Sequence, residues 1–182
     1  MQEGCHLKTI VIYKSASGFT KKLAERIAKE LDADCIALNA AKQIDLSAYD
    51  TVIYGGAVHA QHIIGLKKIK LRLLKLDRQK IAVFAVGSAA GNSFSIPIIK
   101  NHNLSVKEQK RMEFFYLRGG YDKQALSLPS RIIMGIVSNI VFKNMQKKKP
   151  EFTEILEMMK NGGDFTQTED LSPLLAYVDK SN

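Results

Sequence analysis

Short apolar strands alternate with amphipathic helical segments along the chain, and this alternation limits the possible folds more than any other feature of the sequence. Five segments are short, apolar and rich in β-branched or aromatic residues, as is typical of strands buried on both faces. They are residues 8–13, 34–38, 51–55, 81–86 and 113–117. Helical spacing of apolar residues follows the first strand and recurs in residues 65–76. The pattern predicts an α/β fold with a doubly wound, five-stranded parallel sheet in a three-layer α/β/α arrangement.

Neither a linker nor an internal repeat divides the sequence, so we expect a single domain over residues 1–182. We find no secretory signal, and no apolar run reaches the roughly 18–20 residues that span a bilayer. The two cysteines lack metal-site spacing, and we predict no metal site. These features indicate a cytoplasmic protein in which Cys35 is a small core residue.

The composition is basic, with 27 Lys and Arg residues against 18 Asp and Glu residues and a net charge of +9. This excess favours an anionic partner such as a phosphate cofactor, an acidic protein or an anionic membrane surface, or it is only a basic solvated surface. Nucleic acid is not an expected partner, because the sequence has no zinc, RRM or KH-like motif. The oligomeric state is left open by the sequence.

The loop after the first strand carries the most specific chemistry. It offers three hydroxyl groups and one glycine, and a helix beginning near the glycine would direct unpaired N–H groups and its positive dipole end towards the same point. Such a loop can hold a phosphate dianion, although a serine-rich turn that only caps a helix is the alternative. Neither the Walker motif nor the dinucleotide fingerprint is present. The candidate phosphate residues are Ser15, Ala16, Ser17, Gly18, Phe19 and Thr20.

This loop resembles the flavodoxin signature, a T/S-x-T/S-G-x-T loop that binds the phosphate of flavin mononucleotide (FMN). The resemblance extends over most of the chain in strand order and loop placement. Within that family, residues 49–59 (YDTVIYGGAVH) and 119–122 (GGYD) are similar to the menaquinone-dependent protoporphyrinogen oxidase branch. Residues 87–91 and the tail after Gly163 do not reproduce that branch.

The resemblance implies FMN as the cofactor and assigns loops to its ring. The loop after the third strand would contribute backbone groups to the isoalloxazine edge, and the loop after the fourth strand would lie on the opposite side. Tyr121 either stacks on the flavin or is a surface residue, and Arg118 could pair with a substrate carboxylate. The residues assigned to the ring are Ala57, Val58, His59 and Ala60 on one side and Ser88, Ala89, Ala90 and Gly91 on the other.

Two departures from soluble flavodoxins bear on the function. Those electron carriers are acidic and flank the flavin with Trp or Tyr, whereas this chain is basic, has no Trp and has ring loops of small residues. An open flavin face suits a substrate, so the resemblance implies an FMN-dependent oxidoreductase that oxidises protoporphyrinogen IX with a quinone acceptor in heme biosynthesis. The alternatives are an electron-transfer flavodoxin serving a redox partner and a flavin-free interaction module on the same fold.

Two loop histidines are candidates for a role beside the flavin. His59 is the candidate catalytic residue, because an imidazole beside the flavin could carry a proton near neutral pH, but it is equally compatible with an inert loop position. His62 shares that loop, while His6 and His102 are expected on the surface elsewhere. Ser105 and Glu108 form a candidate capping box, and Ser47 could cap a single turn.

An apolar helical stripe over residues 132–141 has two interpretations. It is either a core helix or a helix at the membrane interface that also contacts an apolar porphyrinogen or quinone. The second interpretation uses Lys143 and Lys147–Lys149 to contact anionic lipid, and would place the protein peripherally at the inner face of the membrane.

Overall fold

The computed structural model describes residues 7–122 and 161–179. Its main sheet contains five parallel strands in the order β2-β1-β3-β5-β6, with a short strand β4 paired antiparallel to β3. The predicted doubly wound parallel sheet is therefore confirmed. The strands are β1 (Thr9–Lys14), β2 (Asp34–Ala37), β3 (Thr51–His59), β4 (His62–Ile63), β5 (Lys80–Gly87) and β6 (Glu113–Arg118).

Helices cover both faces of this sheet. They are α1 (Phe19–Glu30), α2 (Leu66–Leu74), α3 (Ser95–Asn103), α4 (Val106–Gln109) and α5 (Ser172–Asp179). Two 3-10 turns, Ala40–Gln43 and Leu46–Ala48, connect β2 to β3. A separate two-stranded pairing joins β7 (Gly120–Tyr121) to β8 (Gly163–Asp164) in antiparallel register.

The core is divided between the two faces because successive side chains of a strand point in opposite directions. Val11 of β1 faces one apolar cluster, to which α1 contributes Leu23 and Ile27 and to which the C-terminal helix α5 also contributes. Ile10 and Ile12 face the other cluster, which α2 and α3 cover. This arrangement is the predicted three-layer α/β/α fold.

The third strand is longer than the sequence predicts. We expect it to end at Gly55, but it continues through Gly55 and Gly56 to His59. A Cβ atom at Gly55 would overlap the ring of Phe84, and one at Gly56 would overlap Ile63. These glycines allow close packing inside the sheet and do not mark a turn.

The two predicted caps and the predicted core cysteine have different outcomes. The capping box of Ser105 and Glu108 is present at the start of α4. The prediction that Ser47 caps a turn is wrong, because the carboxylate of Asp45 accepts the hydrogen bond from the Ser47 N–H group at 3.0 Å. Cys35 is half-buried against the core, and burial raises the pKa of its thiol to about 11.

Some expectations lie outside the described residues. These are the apolar stripe over residues 132–141, Lys143, Lys147–Lys149 and His6. Among the residues that are described, none belongs to a helix long and apolar enough to cross a membrane.

Candidate functional site

Four loops meet at the carboxyl edge of the main sheet. From β1 the chain moves outward to β2 and then returns past β1 to β3, so the direction of winding reverses between β1 and β3. Lys14 at the end of β1 is in register with Gly56, and Gly87 at the end of β5 is in register with Arg118. Ligands of open α/β sheets bind at such a switch point, which here lies beside the loop of residues 15–18.

The loop after β1 determines how helix α1 begins. The Gly18 N–H group donates to the Ser15 hydroxyl at 3.0 Å, and Gly18 adopts the left-handed conformation with φ of 93°. α1 begins at the next residue, and none of the described side chains caps its first turn, which also contains no acidic residue. Because a helix start leaves several N–H groups without intrahelical partners, this one can accept an external anion.

The six predicted phosphate residues divide into two groups. Phe19 and Thr20 are buried, with 8% and 1% of their surfaces exposed, and the ring of Phe19 lies where a Cβ atom on Gly120 would have to be. Ala16 is exposed, and Ser15, Ser17 and Gly18 are half-buried. The accessible surface of the loop therefore consists of residues 15–18, while Phe19 packs α1 against the chain after β6.

Ala57, Val58, His59 and Ala60 form a β-hairpin and not the open loop that the sequence predicts. Val58 pairs with Ile63 and His59 with His62, and Ala60 and Gln61 form the turn with φ of 47° and 67°. Positive φ at both turn residues is the geometry of a type I′ hairpin, which usually requires Asn or Gly. The Ala57 carbonyl is expected to be available to the isoalloxazine ring. In the structure it accepts a hydrogen bond from the Ile64 N–H group at 2.9 Å.

Asn103 at the end of α3 holds this hairpin. Its amide nitrogen donates to the carbonyl of Gln61 at 2.6 Å, and its amide oxygen accepts from the N–H group of Ile63 at 2.8 Å. A further donation to the Ile99 carbonyl, at 2.8 Å, fixes the side chain on its own helix. Sequence reasoning missed Asn103, because nothing local links it to a turn about 40 residues away.

The three described histidines lie in or against the hairpin. His59 and His62 are opposite one another in the hairpin, and the ring of His102 contacts His62 edge-on with centroids 4.3 Å apart. All three are exposed. The expectation that His102 lies away from the predicted site is wrong, because its ring contacts His62. Partial desolvation, together with His102 and Lys67, lowers the pKa of His62.

Tyr116 supports the loop that contains Ser88, Ala89, Ala90 and Gly91. Its hydroxyl donates to the Ala89 carbonyl at 2.9 Å, and its ring occupies the space that Cβ atoms on Gly87 and Gly91 would need. Burial raises the pKa of this hydroxyl to about 12, so it remains a hydrogen-bond donor at neutral pH.

A large aromatic residue also follows this loop. Phe94 is 75% exposed, and its N–H group donates to the Asn92 side chain at 3.0 Å. The expectation of small residues around the site overlooked Phe94, since it lies beyond the glycine that ends the loop.

The chain after β6 returns to the same edge. Tyr121 is half-buried in β7 opposite Gly163, and burial raises the pKa of its hydroxyl. Arg118 is the residue expected to pair with a substrate carboxylate. Its guanidinium stacks on the ring of Phe165 at 3.5 Å, and this contact orients the side chain. Among residues 7–122 and 161–179, no group of three or more His, Cys, Asp or Glu side chains is placed to hold a metal ion.

Comparisons with known proteins find several solved structures of low sequence identity. Similar solved structures include oxidised Flavodoxin 2 from Bacillus cereus, with 22% identity, 61% of this chain and 84% of that chain covered, and a TM-score of 0.45. The Trp repressor binding protein from Bacillus subtilis shares 21% identity over 62% of this chain and 83% of its own, with a TM-score of 0.46. A flavoprotein in complex with FMN from Lactobacillus acidophilus NCFM shares 19% identity over 62% of this chain and 93% of its own, with a TM-score of 0.40.

No curated protein matches the sequence. A family model described as Flavodoxin domain matches residues 10–151, which is more than half of the chain. The family expected from the loop of residues 14–20 is therefore correct, and it agrees with FMN as the predicted cofactor. The chain belongs to the flavodoxin-domain family.

Proposed function

We propose that this protein binds FMN and acts as an oxidoreductase that transfers electrons from protoporphyrinogen IX to a quinone, a step of heme biosynthesis. The observation that carries the cofactor assignment is the uncapped start of α1 at the β1–β3 switch point. The observations that favour an apolar, acidic substrate are an exposed aromatic residue beside the site and the net charge of +9.

The residues of the first loop fit a phosphate dianion. The first turn of α1 provides backbone N–H groups, and the hydroxyls of Ser15 and Ser17 lie within the four-residue loop just before it. A Cβ atom added at Gly18 would meet nothing within 4 Å, so the backbone there is open to a ligand. The absence of an acidic residue from that first turn removes the repulsion that would oppose a dianion.

The flavin ring would lie between the β3–β4 hairpin and the loop of residues 88–91. Asn103 and Tyr116 fix these two walls, so backbone groups along them keep a defined position. When bound, FMN would supply the redox chemistry, and the protein would supply position and polarity. His59, exposed at the hairpin, is the candidate group for carrying a proton, and Tyr121 offers an aromatic surface on the neighbouring side.

The surface beside the ring loop supports the proposed substrate class. Phe94 and Ile98 are 75% and 36% exposed and lie four residues apart, on one side of the start of α3. The Asn92 side chain accepts hydrogen bonds from the N–H groups of Phe94 and Ser95, which fixes the backbone that presents the aromatic ring. An apolar macrocycle with carboxylates matches both this surface and the basic charge.

We further propose that the protein works in the cytoplasm at the inner face of the membrane. A quinone acceptor resides in the bilayer, and the apolar stripe over residues 132–141 with Lys143 and Lys147–Lys149 has the composition of an interfacial helix.

Two measurements test the function in sequence. A yellow purified protein that releases FMN on denaturation is expected, and a colourless protein that rejects added FMN would contradict every flavin-dependent function and favour the interaction module. Anaerobic oxidation of protoporphyrinogen IX with a menaquinone analogue then separates enzyme from carrier. Turnover is expected, whereas bound FMN without turnover would favour the electron-transfer flavodoxin.

A further inference from the structure

The outer face of α2 combines lysines with exposed leucines. The inner face buries Leu66, Ile69 and Leu73 in the core. Leu71 on the outer face is 72% exposed and Leu74 is 36% exposed. The outer face contains no acidic residue and consists of Lys67, Lys68, Leu71, Leu74 and Lys75.

The short helix α4 extends this face. Val106 at its first position is 73% exposed, and Lys107 and Lys110 are exposed beside it. Lys70 links the two helices, because its ammonium group lies 3.0 Å from the carboxylate of Glu108 and 3.1 Å from the carbonyl of Asn103. We call these residues of α2 and α4, including Lys110 just after α4, the α2–α4 surface.

The acidic groups around the α2–α4 surface leave its positive charge dominant. Glu108 is half-buried, and besides Lys70 it accepts a hydrogen bond from the Ser105 N–H group at 2.7 Å. Asp77 follows α2 by three residues and is exposed. Five exposed lysines therefore surround three exposed aliphatic side chains, and the exposed acidic residues nearby are Asp77 and Asp45, which lies close to Arg72 of α2.

This composition identifies the kind of partner. Protein interfaces are depleted in lysine and enriched in Tyr, Trp, Met and Arg, and the α2–α4 surface has none of these on its exposed face. Interfacial helices instead place lysines at anionic headgroups and aliphatic side chains at the acyl boundary.

We propose that the α2–α4 surface docks on an anionic phospholipid bilayer. α2 begins three residues after β4, so Lys67 and Lys68 lie at the carboxyl edge of the sheet, beside the candidate site. Docking would bring that site close to the bilayer, from which an apolar substrate can enter. This inference rests on the proposed peripheral association and assigns it to described residues.

Vesicle sedimentation tests the assignment. The purified full chain is mixed with vesicles of phosphatidylcholine containing phosphatidylglycerol, and with vesicles of phosphatidylcholine alone. We expect binding only to the anionic vesicles, and substitution Lys68→Gln with Lys75→Gln should weaken it about 25-fold, since each surface lysine contributes about fivefold. Leu71→Ser should remove the part of the binding that persists in high salt.

The matched control is Lys21→Gln with Lys29→Gln. It removes the same charge from the exposed side of α1, on the opposite face of the sheet, and should weaken binding less than about threefold if position matters. An equal loss in both variants would overturn the inference by attributing binding to net charge. An absence of binding to anionic vesicles would overturn it as well.

Two further readouts separate this inference from the proposed function. FMN content and thermal stability should be unchanged in Lys68→Gln with Lys75→Gln, so loss of vesicle binding cannot be ascribed to a failed cofactor site. If Ile136→Ser abolishes vesicle binding while the α2 variant retains it, peripheral association stands and the α2–α4 surface is not its cause.

Discussion

The loop after β1 and the hairpin after β3 line the same edge of the sheet but are held in different ways. The first is set locally, by a hydrogen bond between Ser15 and Gly18 and by the left-handed glycine that starts α1. The second adopts a turn that its residues Ala60 and Gln61 disfavour, and Asn103 from a distant helix holds it. One side of such a site can therefore be set by hydrogen bonds within a single loop, while the other side combines its own backbone pairing with a side chain from a distant helix.

The largest expected effect is on the loop after β1. Ser17→Asp places a carboxylate beside the proposed phosphate, and like charges about 4 Å apart repel by about 4 kcal/mol near a protein surface. FMN affinity should therefore fall at least about a hundredfold in a fluorescence-quenching titration.

Ser105→Asp is the control for this change. It adds the same charge at the start of another helix, where Asp is an equally good cap, so FMN affinity should stay within about twofold. Normal FMN binding by Ser17→Asp would mean that the phosphate lies elsewhere.

The hairpin after β3 should be destabilised by Asn103→Ala. This change removes both hydrogen bonds to the hairpin and leaves the Ile63 N–H group without its acceptor, which should lower the free energy of unfolding by about 2 kcal/mol. Hydrogen exchange at Ile63 should accelerate more than exchange at Gly18.

Asn101→Ala provides the comparison. That side chain is exposed and accepts one bond, from Gln109 at 2.9 Å, so the loss should stay near about 0.5 kcal/mol. Equal losses in urea unfolding for the two variants would show that Asn103 does not hold the hairpin.

A third, smaller effect tests whether the loop of residues 88–91 depends on distant side chains as the hairpin does. Tyr116→Phe removes the hydroxyl that binds the Ala89 carbonyl and should cost about 1 kcal/mol. Tyr177→Phe removes a longer bond, 3.4 Å to the Ile81 carbonyl, and should cost less than half as much. If Tyr177→Phe proves the more destabilising in thermal unfolding, Tyr116 is not the support of this loop.

The smallest effect concerns pH at the hairpin. His62 has a lowered pKa in the folded state, so the unfolded chain takes up its proton first as the pH falls. The stability of the hairpin should be fully present above the ordinary histidine value of about 6.5 and should decline as the pH falls through the lowered folded value. His102→Gln should move the pKa of His62 upward in an NMR titration, and an unchanged value would remove His102 as a cause.

The features predicted correctly from the sequence are those encoded within a few residues. The first strand, predicted over residues 8–13 and observed over Thr9–Lys14, is a continuous apolar run, and the glycine before α1 and the capping box of Ser105 and Glu108 depend on neighbours three or four positions away. The predicted end of the third strand at Gly55 is wrong, because the Phe84 ring that requires Gly55 to lack a side chain belongs to another strand and leaves no local signal.

Long-range pairing accounts for the other differences. Neither the contact of Asn103 with the hairpin nor the pairing of Gly120 with Asp164 leaves a periodic signal in the sequence. Asn103 is a polar residue at the end of α3, and such a residue is equally typical of an exposed helix end. Phe94 lies outside the small-residue loop, so its exposure beside the site became visible only with the start of α3 in place.

The most direct test of the central claim, that the loop of residues 15–18 binds a flavin phosphate, compares two flavins on the same apoprotein. FMN and riboflavin differ only in that phosphate, and a helix start supplied with hydroxyls and N–H groups should bind FMN at least about a hundredfold more tightly. A fluorescence-quenching titration with one FMN bound per chain and weak binding of riboflavin is the predicted result. Equal affinities for the two flavins, or no binding of either, would contradict it.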